Sequence, residues 1–156
     1  MTLAETFALV SFSIFSYADL RYRLVPGIEV FLFGTILLTF PATPIQTGIV
    51  LLACLWGIFR NLSGWFAIPL LFYPPVWPVL FTGYGYRKSI IGRADLLAIS
   101  GLACLFPLPA VLLSLLGLEL WRRLWIRRQQ GNIPALPGLL LGLIVYLLLR
   151  LFLPTP

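Results

Sequence analysis

Apolar residues form seven long stretches along the chain, separated by short segments that contain proline, glycine, arginine or lysine. The stretches are Thr2–Ala18, Ile28–Phe40, Ile45–Phe59, Leu62–Thr82, Leu96–Phe106, Leu108–Ile126 and Ile133–Leu153. A membrane-spanning helix needs about 20 apolar residues, and several of these stretches are shorter. The pattern predicts membrane helices, but stretch length alone does not give their number.

The composition supports a membrane environment for these helices. Of the 156 residues, 60% are hydrophobic and 10% are charged, and the mean hydropathy is +1.00. Soluble domains carry roughly 25% charged residues. The thirteen prolines and thirteen glycines interrupt apolar runs, so they indicate breaks between and within helices. We therefore expect one membrane-embedded domain over residues 1–156, an all-α polytopic helix bundle whose first stretch is a retained span.

The basic residues predict an orientation, because Lys and Arg in short loops collect on the cytoplasmic side. Apart from Arg150, they form four groups along the chain. The groups are Arg21 with Arg23, Arg60 alone, Arg87 with Lys88 and Arg93, and Arg122, Arg123, Arg127 and Arg128. If all four groups are cytoplasmic, the N-terminus and the C-terminus both lie outside the cell membrane, and Arg150 is an exception.

This orientation requires one apolar stretch that does not cross the membrane. Three stretches separate Arg23 from Arg87, and three crossings would place these residues on opposite sides. Leu62–Thr82 is the best candidate, because three prolines in its centre (FYPPVWP) break helical geometry. We expect a re-entrant or kinked segment near 62–82 with both ends cytoplasmic. The alternative is that Ile28–Phe59 forms one bent span, and both arrangements give about six transmembrane helices.

The residue types present exclude several kinds of active site. The chain has no histidine, so His-based triads and His-liganded metals are excluded. Cys54 and Cys104 lie inside apolar stretches without a CxxC pattern, so we expect neither a disulfide nor a metal. The basic groups are expected to orient the protein and to meet anionic lipid head groups of the bilayer. We expect no cofactor and no nucleic-acid partner.

Two of the five acidic residues, Asp19 and Asp95, fall at predicted cytoplasmic boundaries. Two carboxylates brought together at the edge of a low-dielectric medium cannot both ionise cheaply, so they share a proton. Such a pair can activate a water, with one member as general base and the other as hydrogen-bond donor to a carbonyl oxygen. Each also has a structural interpretation: Asp95 as a helix-capping residue, and Asp19 as an interfacial residue paired with Arg21 or Arg23.

Three short motifs resemble those of one family, the type IV prepilin peptidases. The segment ADLRYRLVPG, residues 18–27, resembles the family's first motif, an Asp followed by basic residues and a hydrophobic-Pro-Asn step. The segment IGRADLLAI, residues 91–99, resembles the second motif, GxGD, which is often Gly-Gly-Ala-Asp in archaeal members. The segment IPALPGLLLG, residues 133–142, is similar to the last helix of archaeal members.

The resemblance implies a GxGD-type membrane aspartyl endopeptidase. Such an enzyme removes the short basic leader of pilin or archaellin precursors at the cytoplasmic membrane face, and these precursors would be its partners. It implies Asp19 and Asp95 as the catalytic residues, with Gly92, Arg93 and Ala94 as supporting motif residues, and protease activity without N-methylation. Acidic Glu29, which is otherwise a first-turn helix residue, is a possible contact for the basic leader.

The sequence departs from the family pattern in both aspartate motifs, and other functions are open. Ala94 stands where GxGD has glycine, as in archaeal members. Gly27 stands where the family has Asn, and Leu97 where it often has Lys, which leaves substrate preference open. The tripeptide Pro134-Ala135-Leu136 matches a presenilin motif, which we attribute to chance because presenilin-like enzymes are much longer. A small proton-coupled transporter and a noncatalytic membrane scaffold are the alternatives.

Overall fold

The computed structural model describes residues 2–23, 25–128 and 133–152, and for residues 127 and 128 it describes the backbone only. In these residues every regular element is a helix and none is a β-strand, which confirms the all-α prediction. The α-helices are α1 Leu3–Tyr22, α2 Ile28–Thr39, α3 Pro44–Ile58, α4 Trp77–Arg87, α5 Arg93–Leu105, α6 Leu108–Arg128 and α7 Leu136–Phe152. Three 3-10 turns precede α4, at Gly64–Ala67, Pro69–Phe72 and Pro74–Val76.

Among the described residues, α1 is the one helix both long and apolar enough to cross a membrane. The helices α2, α3 and α7 are apolar but shorter. The chain divides into two compact units. The terminal unit comprises Leu3–Pro26 and Pro109–Pro156, and the central unit comprises Gly27–Leu108. The single membrane domain expected over residues 1–156 stays a prediction.

In the terminal unit, α1 and α7 pack side by side in opposite directions. Near the start of α1, Glu5 forms an ion pair with Arg150 in the last turn of α7. Near the end of α1, the carboxylate of Asp19 accepts a hydrogen bond from the backbone N–H of Leu136, the first residue of α7. The two contacts therefore connect the helices at both ends.

Small residues bring the backbones of α6 and α7 together. A Cβ atom on Gly117 of α6 would lie 2.6 Å from the backbone nitrogen of Gly142. A Cβ atom on Gly142 would lie 2.5 Å from the Cα of Ser114, and one on Gly138 would lie 2.6 Å from the Cα of Leu118. Gly138 and Gly142 form a GxxxG pattern, which is typical of close helix pairs in membranes.

In the central unit, α5 is the innermost helix. All residues from Leu96 to Cys104 are buried, and α5 packs against α2, α3 and α4. At its start, Arg93 pairs with Glu29 in the first turn of α2, so α2 runs parallel to α5. At its end, the carbonyl oxygen of Ala103 accepts a hydrogen bond from Gln46 near the start of α3, at 3.0 Å, so α3 runs antiparallel. The helices α2 and α3 therefore form a hairpin, and the alternative of one bent span over Ile28–Phe59 is replaced by two antiparallel helices.

The proline-rich stretch between α3 and α4 is broken into short turns, as its prolines predict, and its two ends lie together. The guanidinium of Arg87 donates hydrogen bonds to the backbone oxygens of Arg60 and Leu62, both at 2.7 Å. The guanidinium of Arg60 donates to the hydroxyl of Ser89 at 2.9 Å. The chain therefore leaves and returns at the same end of the central unit, and the re-entrant path through a membrane stays a prediction.

Candidate active site

Asp95 lies in the first turn of α5 and contributes to the start of that helix. Its Oδ2 atom accepts a hydrogen bond from the backbone N–H of Gly92, the N-cap residue, at 3.2 Å. A Cβ atom on Gly92 would lie 3.3 Å from the same oxygen, so the absence of a side chain leaves room for the carboxylate. The residue is half-buried. The structural interpretation of Asp95 as a capping residue is thus confirmed, and it leaves the side chain partly accessible.

Residues around Asp95 collect at one end of the central unit. Arg93 Nη2 lies 3.3 Å from Glu29 Oε1, and the two side chains are 58% and 55% exposed, respectively. An ion pair this exposed contributes less than about 1 kcal/mol, so it can exchange for another partner. Ala94 is half-buried and lies between Arg93 and Asp95 in the first turn of α5. The central unit therefore brings together Glu29 and the second motif.

Asp19 lies in the last turn of α1, half-buried, where it caps a different helix. Its Oδ2 atom lies 3.2 Å from the backbone nitrogen of Leu136, which begins α7. The residues just before α7, Ile133–Ala135, carry no side chain that could cap the helix, so its first amides need an acceptor from elsewhere. A carboxylate at this position also interacts favourably with the positive end of the helix dipole. Asp19 supplies both the hydrogen-bond acceptor and the negative charge.

The arginines near Asp19 have other contacts. Arg21 donates a hydrogen bond to the hydroxyl of Tyr17 at 2.9 Å. The Arg23 guanidinium lies over the ring of Trp125 in α6, 4.9 Å from the ring centroid. Arg23 has a positive φ of 56°, which ends α1 at Tyr22. The sequence predicts a pairing of Asp19 with Arg21 or Arg23. In the structure, the hydrogen-bond donor to Asp19 is instead the amide of Leu136, 117 positions away.

One feature of the sequence indicates the contact between Asp19 and Leu136, which the sequence analysis does not predict. A helix that starts without Ser, Thr, Asp or Asn at its N-cap leaves orphan backbone donors, and Ala135 is such an N-cap. The signal shows that an acceptor is needed but does not identify Asp19. The Glu29–Arg93 pair was missed as well, since nothing local in the sequence connects residues on two different helices.

The two motif aspartates belong to different units, Asp19 to the terminal unit and Asp95 to the central unit. Their convergence on one water stays a prediction. What they share is local: each is half-buried, and each accepts a hydrogen bond from a backbone amide at the start of a helix. A hydrogen bond to one oxygen orients a carboxylate, which is a requirement for a group that positions a water.

The remaining observations concern metals and similar proteins. Among the described residues, no group of three or more His, Cys, Asp or Glu side chains could hold a metal ion. Comparison of the chain with protein-family models, curated proteins and solved structures gives no match.

Proposed function

We propose that this chain is a polytopic membrane aspartyl endopeptidase of the prepilin peptidase type. It cleaves the short basic leader from type IV pilin-like or archaellin precursors at the cytoplasmic face of the cell membrane. Asp19 and Asp95 together activate the attacking water. One observation carries the proposal: both motif aspartates are half-buried at an arginine-rich end of their own unit, oriented there by a backbone amide.

The outward faces of the helices support a membrane location. Helix α7 buries Leu139 and Leu143 on one side and is apolar on its opposite side as well. A helix that is apolar all round is a core helix or a membrane span. Apolar side chains are also exposed at helical spacing on three helices: Val10, Ile14 and Tyr17 of α1; Val30, Phe33 and Leu37 of α2; Leu141, Val145 and Leu148 of α7. Lipid is the solvent that such faces require.

Charge placement within each unit supports the proposed orientation. In the terminal unit, Arg23 at the end of α1 lies over Trp125 near the end of α6, which places their basic groups at the same end. At the opposite end, Arg150 is paired with Glu5. Arg150 stays the exception to the predicted charge rule, because it lies at the end of the unit opposite the other basic groups.

The short helices of the central unit set a condition on this proposal. These helices have 11 to 15 residues, whereas a span needs about 20. The bilayer must therefore thin around the central unit, or flanking polar residues must extend to the interface. A thin bilayer at this point would also bring water closer to Asp95.

The backbone at Gly27 supports the resemblance of the first motif. Gly27 has a φ of +80°, in the left-handed region, and it is the N-cap of α2. Glycine adopts this conformation without strain, and asparagine is among the side-chain-bearing residues that are enriched there. The replacement of the family's Asn by Gly27 therefore keeps the backbone conformation that the motif needs.

The proposal is tested by peptide cleavage with the full-length protein reconstituted in liposomes. The substrate is a precursor with a basic leader followed by an apolar helix. Asp19→Asn and Asp95→Asn should each lower kcat/KM at least about a hundredfold, the range that positioned acid–base groups supply. The matched control is Glu119→Gln, which removes an exposed carboxylate from α6 of the terminal unit. Its kcat/KM should stay within twofold of wild type.

The same variants separate catalysis from helix capping. Asparagine keeps an acceptor oxygen, so Asp19→Asn and Asp95→Asn should retain most of the cap and unfold near the wild-type temperature. Alanine removes the acceptor, and loss of a cap costs about 0.5–2 kcal/mol of stability. Full cleavage by either Asn variant would refute the proposed pair.

A second candidate function, a noncatalytic membrane scaffold, is favoured by the capping bonds themselves. Asp19 and Asp95 each stabilise the start of a helix, which is a sufficient reason for a carboxylate at these positions. A scaffold predicts that no precursor is cleaved and that only the Ala variants, through lost stability, impair the protein. The cleavage assay decides between the two functions.

A further inference from the structure

A cavity of about 360 Å³ lies at the end of the central unit where the proline-rich segment leaves and returns. Its size is within the range of small-ligand sites, about 300–1,000 Å³. Three of its lining residues are cations and two are aromatic. The lining residues are Trp56, Arg60, Gly64, Tyr84, Arg87 and Lys88.

The cations in this cavity are arranged against aromatic rings. The Arg87 guanidinium lies 4.7 Å from the centroid of the Trp56 ring, and the Lys88 ammonium lies 5.8 Å from that of Tyr84. In the part of the chain that the structure describes, no carboxylate forms an ion pair with Arg60, Arg87 or Lys88. Cations gathered without an acidic partner repel one another, and a bound anion would remove that repulsion.

The floor of the cavity is fixed by hydrogen bonds. Trp56 is buried, and its indole N–H donates to the carbonyl oxygen of Ser63 at 3.2 Å. The guanidinium of Arg87 donates hydrogen bonds to the carbonyl oxygens of Arg60 and Leu62, which hold it in place. Arg60 and Lys88 are exposed at the rim. The site therefore combines an arginine held by hydrogen bonds with two exposed cations.

The segment next to the cavity carries exposed aromatic side chains. Trp65, which follows the lining residue Gly64, is 80% exposed, and Phe66 is exposed as well. Exposed tryptophans beside arginines and lysines are typical of the membrane–water interface, where the rings lie at the level of the head groups. This neighbourhood places the opening of the cavity among lipid head groups when the chain lies in a bilayer.

We propose that this cavity binds the phosphate group of an anionic lipid head group. Arg60 and Lys88 contact the phosphate oxygens, Arg87 supplies a fixed positive charge, and Tyr84 and Trp56 form the apolar wall beside the glycerol moiety. A guanidinium suits phosphate because it donates two parallel hydrogen bonds. The site rests on the membrane location within the proposed function and is independent of peptide cleavage.

The test is native mass spectrometry of the full chain in detergent, titrated with phosphatidylglycerol or with phosphatidylcholine. Phosphatidylglycerol should bind at least tenfold more tightly. Arg60→Gln and Lys88→Gln should each weaken it about fivefold, the contribution of one basic residue near anionic lipid. Lys88 is exposed, so Lys88→Gln tests the site even if Arg60→Gln misfolds. The matched control, Arg123→Gln on α6, removes one exposed arginine outside the cavity and should change the affinity less than twofold.

Other outcomes overturn the proposal. Equal binding of the two lipids would show that the cavity does not select an anionic head group. An equal effect of Arg123→Gln would show that net charge alone attracts the lipid. Displacement of the lipid by micromolar inorganic phosphate or glycerol phosphate would assign the cavity to a soluble phosphate and refute the lipid assignment. Loss of precursor cleavage with lipid binding intact would refute the peptidase and leave this site standing.

Discussion

The crossing of α6 and α7 at Gly142 offers a sharp stability prediction. A Cβ atom at position 142 would lie 2.5 Å from the Cα of Ser114 and still closer to the backbone oxygen of Leu113. Both are backbone atoms, so no side-chain rotation can relieve the contact, and the two helices must move apart. Overpacking of this kind costs typically about 1–3 kcal/mol, and contact with backbone favours the upper part of that range.

Alanine also has a favourable effect at this position, because it is a better helix former than glycine by up to about 1 kcal/mol. The expected net effect of Gly142→Ala is therefore a loss of about 2 kcal/mol. For a chain of this size, that loss corresponds to a decrease in unfolding temperature of about 4–8 °C. Since α7 also carries the amide that holds Asp19, we expect lower peptidase activity in this variant.

The matched control is Gly48→Ala in α3. A Cβ atom on Gly48 would have no neighbour within 4 Å, so this variant gains helix propensity without a clash. It should be more stable than wild type by up to about 1 kcal/mol. The assay is thermal unfolding in detergent micelles, followed by far-ultraviolet circular dichroism. If Gly142→Ala unfolds at or above the wild-type temperature, the close helix crossing is incorrect.

Further predictions concern charged side chains. Glu5→Gln should lower the free energy of unfolding by about 1–2 kcal/mol in thermal unfolding, because it leaves Arg150 without its carboxylate; the loss is smaller than for a fully buried pair, since the arginine is half-exposed. The double variant Glu5→Gln with Arg150→Gln should recover part of the loss. An unchanged unfolding temperature in Glu5→Gln would contradict this prediction. The guanidinium of Arg87 reaches three backbone carbonyl oxygens, those of Trp56, Arg60 and Leu62, through two nitrogens in a fixed plane. Arg87→Lys keeps the charge but offers one nitrogen, so limited proteolysis of the segment before α4 should become several-fold faster. The control Lys88→Arg should be digested at the wild-type rate, and an unchanged digestion rate in Arg87→Lys would show that these hydrogen bonds do not hold the segment. Glu29→Gln should raise KM for a basic leader several-fold without changing kcat, and a change in kcat alone would exclude leader binding.

Local features of the fold were predictable from the sequence because their causes are local. Proline at position 44 begins α3, and the prolines of FYPPVWP replace a continuous helix by 3-10 turns. The grouping of basic residues predicted that both ends of the stretch Leu62–Thr82 lie on one side. The hydrogen bond from Arg87 to the backbone oxygen of Arg60 shows that the residues flanking this stretch meet, whereas the side of the membrane stays a prediction.

The candidate site was predictable only in part. The second motif identified Asp95 and Gly92, which are three residues apart and joined by a hydrogen bond within the same helix start. The partner of Asp19 could not be identified, because an amide 117 positions away becomes its neighbour only when α1 and α7 pack. The same holds for Glu29 and Arg93, which meet because α2 and α5 are parallel neighbours.

The sequence by itself determined that the chain is helical and apolar, where its helices break, and where its charges collect. The tertiary structure decided which side of each helix faces its neighbours. In a water-soluble protein, the polar face of a helix indicates its outward side, but here apolar residues lie on both sides of helices such as α7. The inward side is then selected by close approach at small residues such as Gly142 and by single polar contacts such as that of Asp19. Those are properties of pairs of helices, and no periodicity within one helix encodes them.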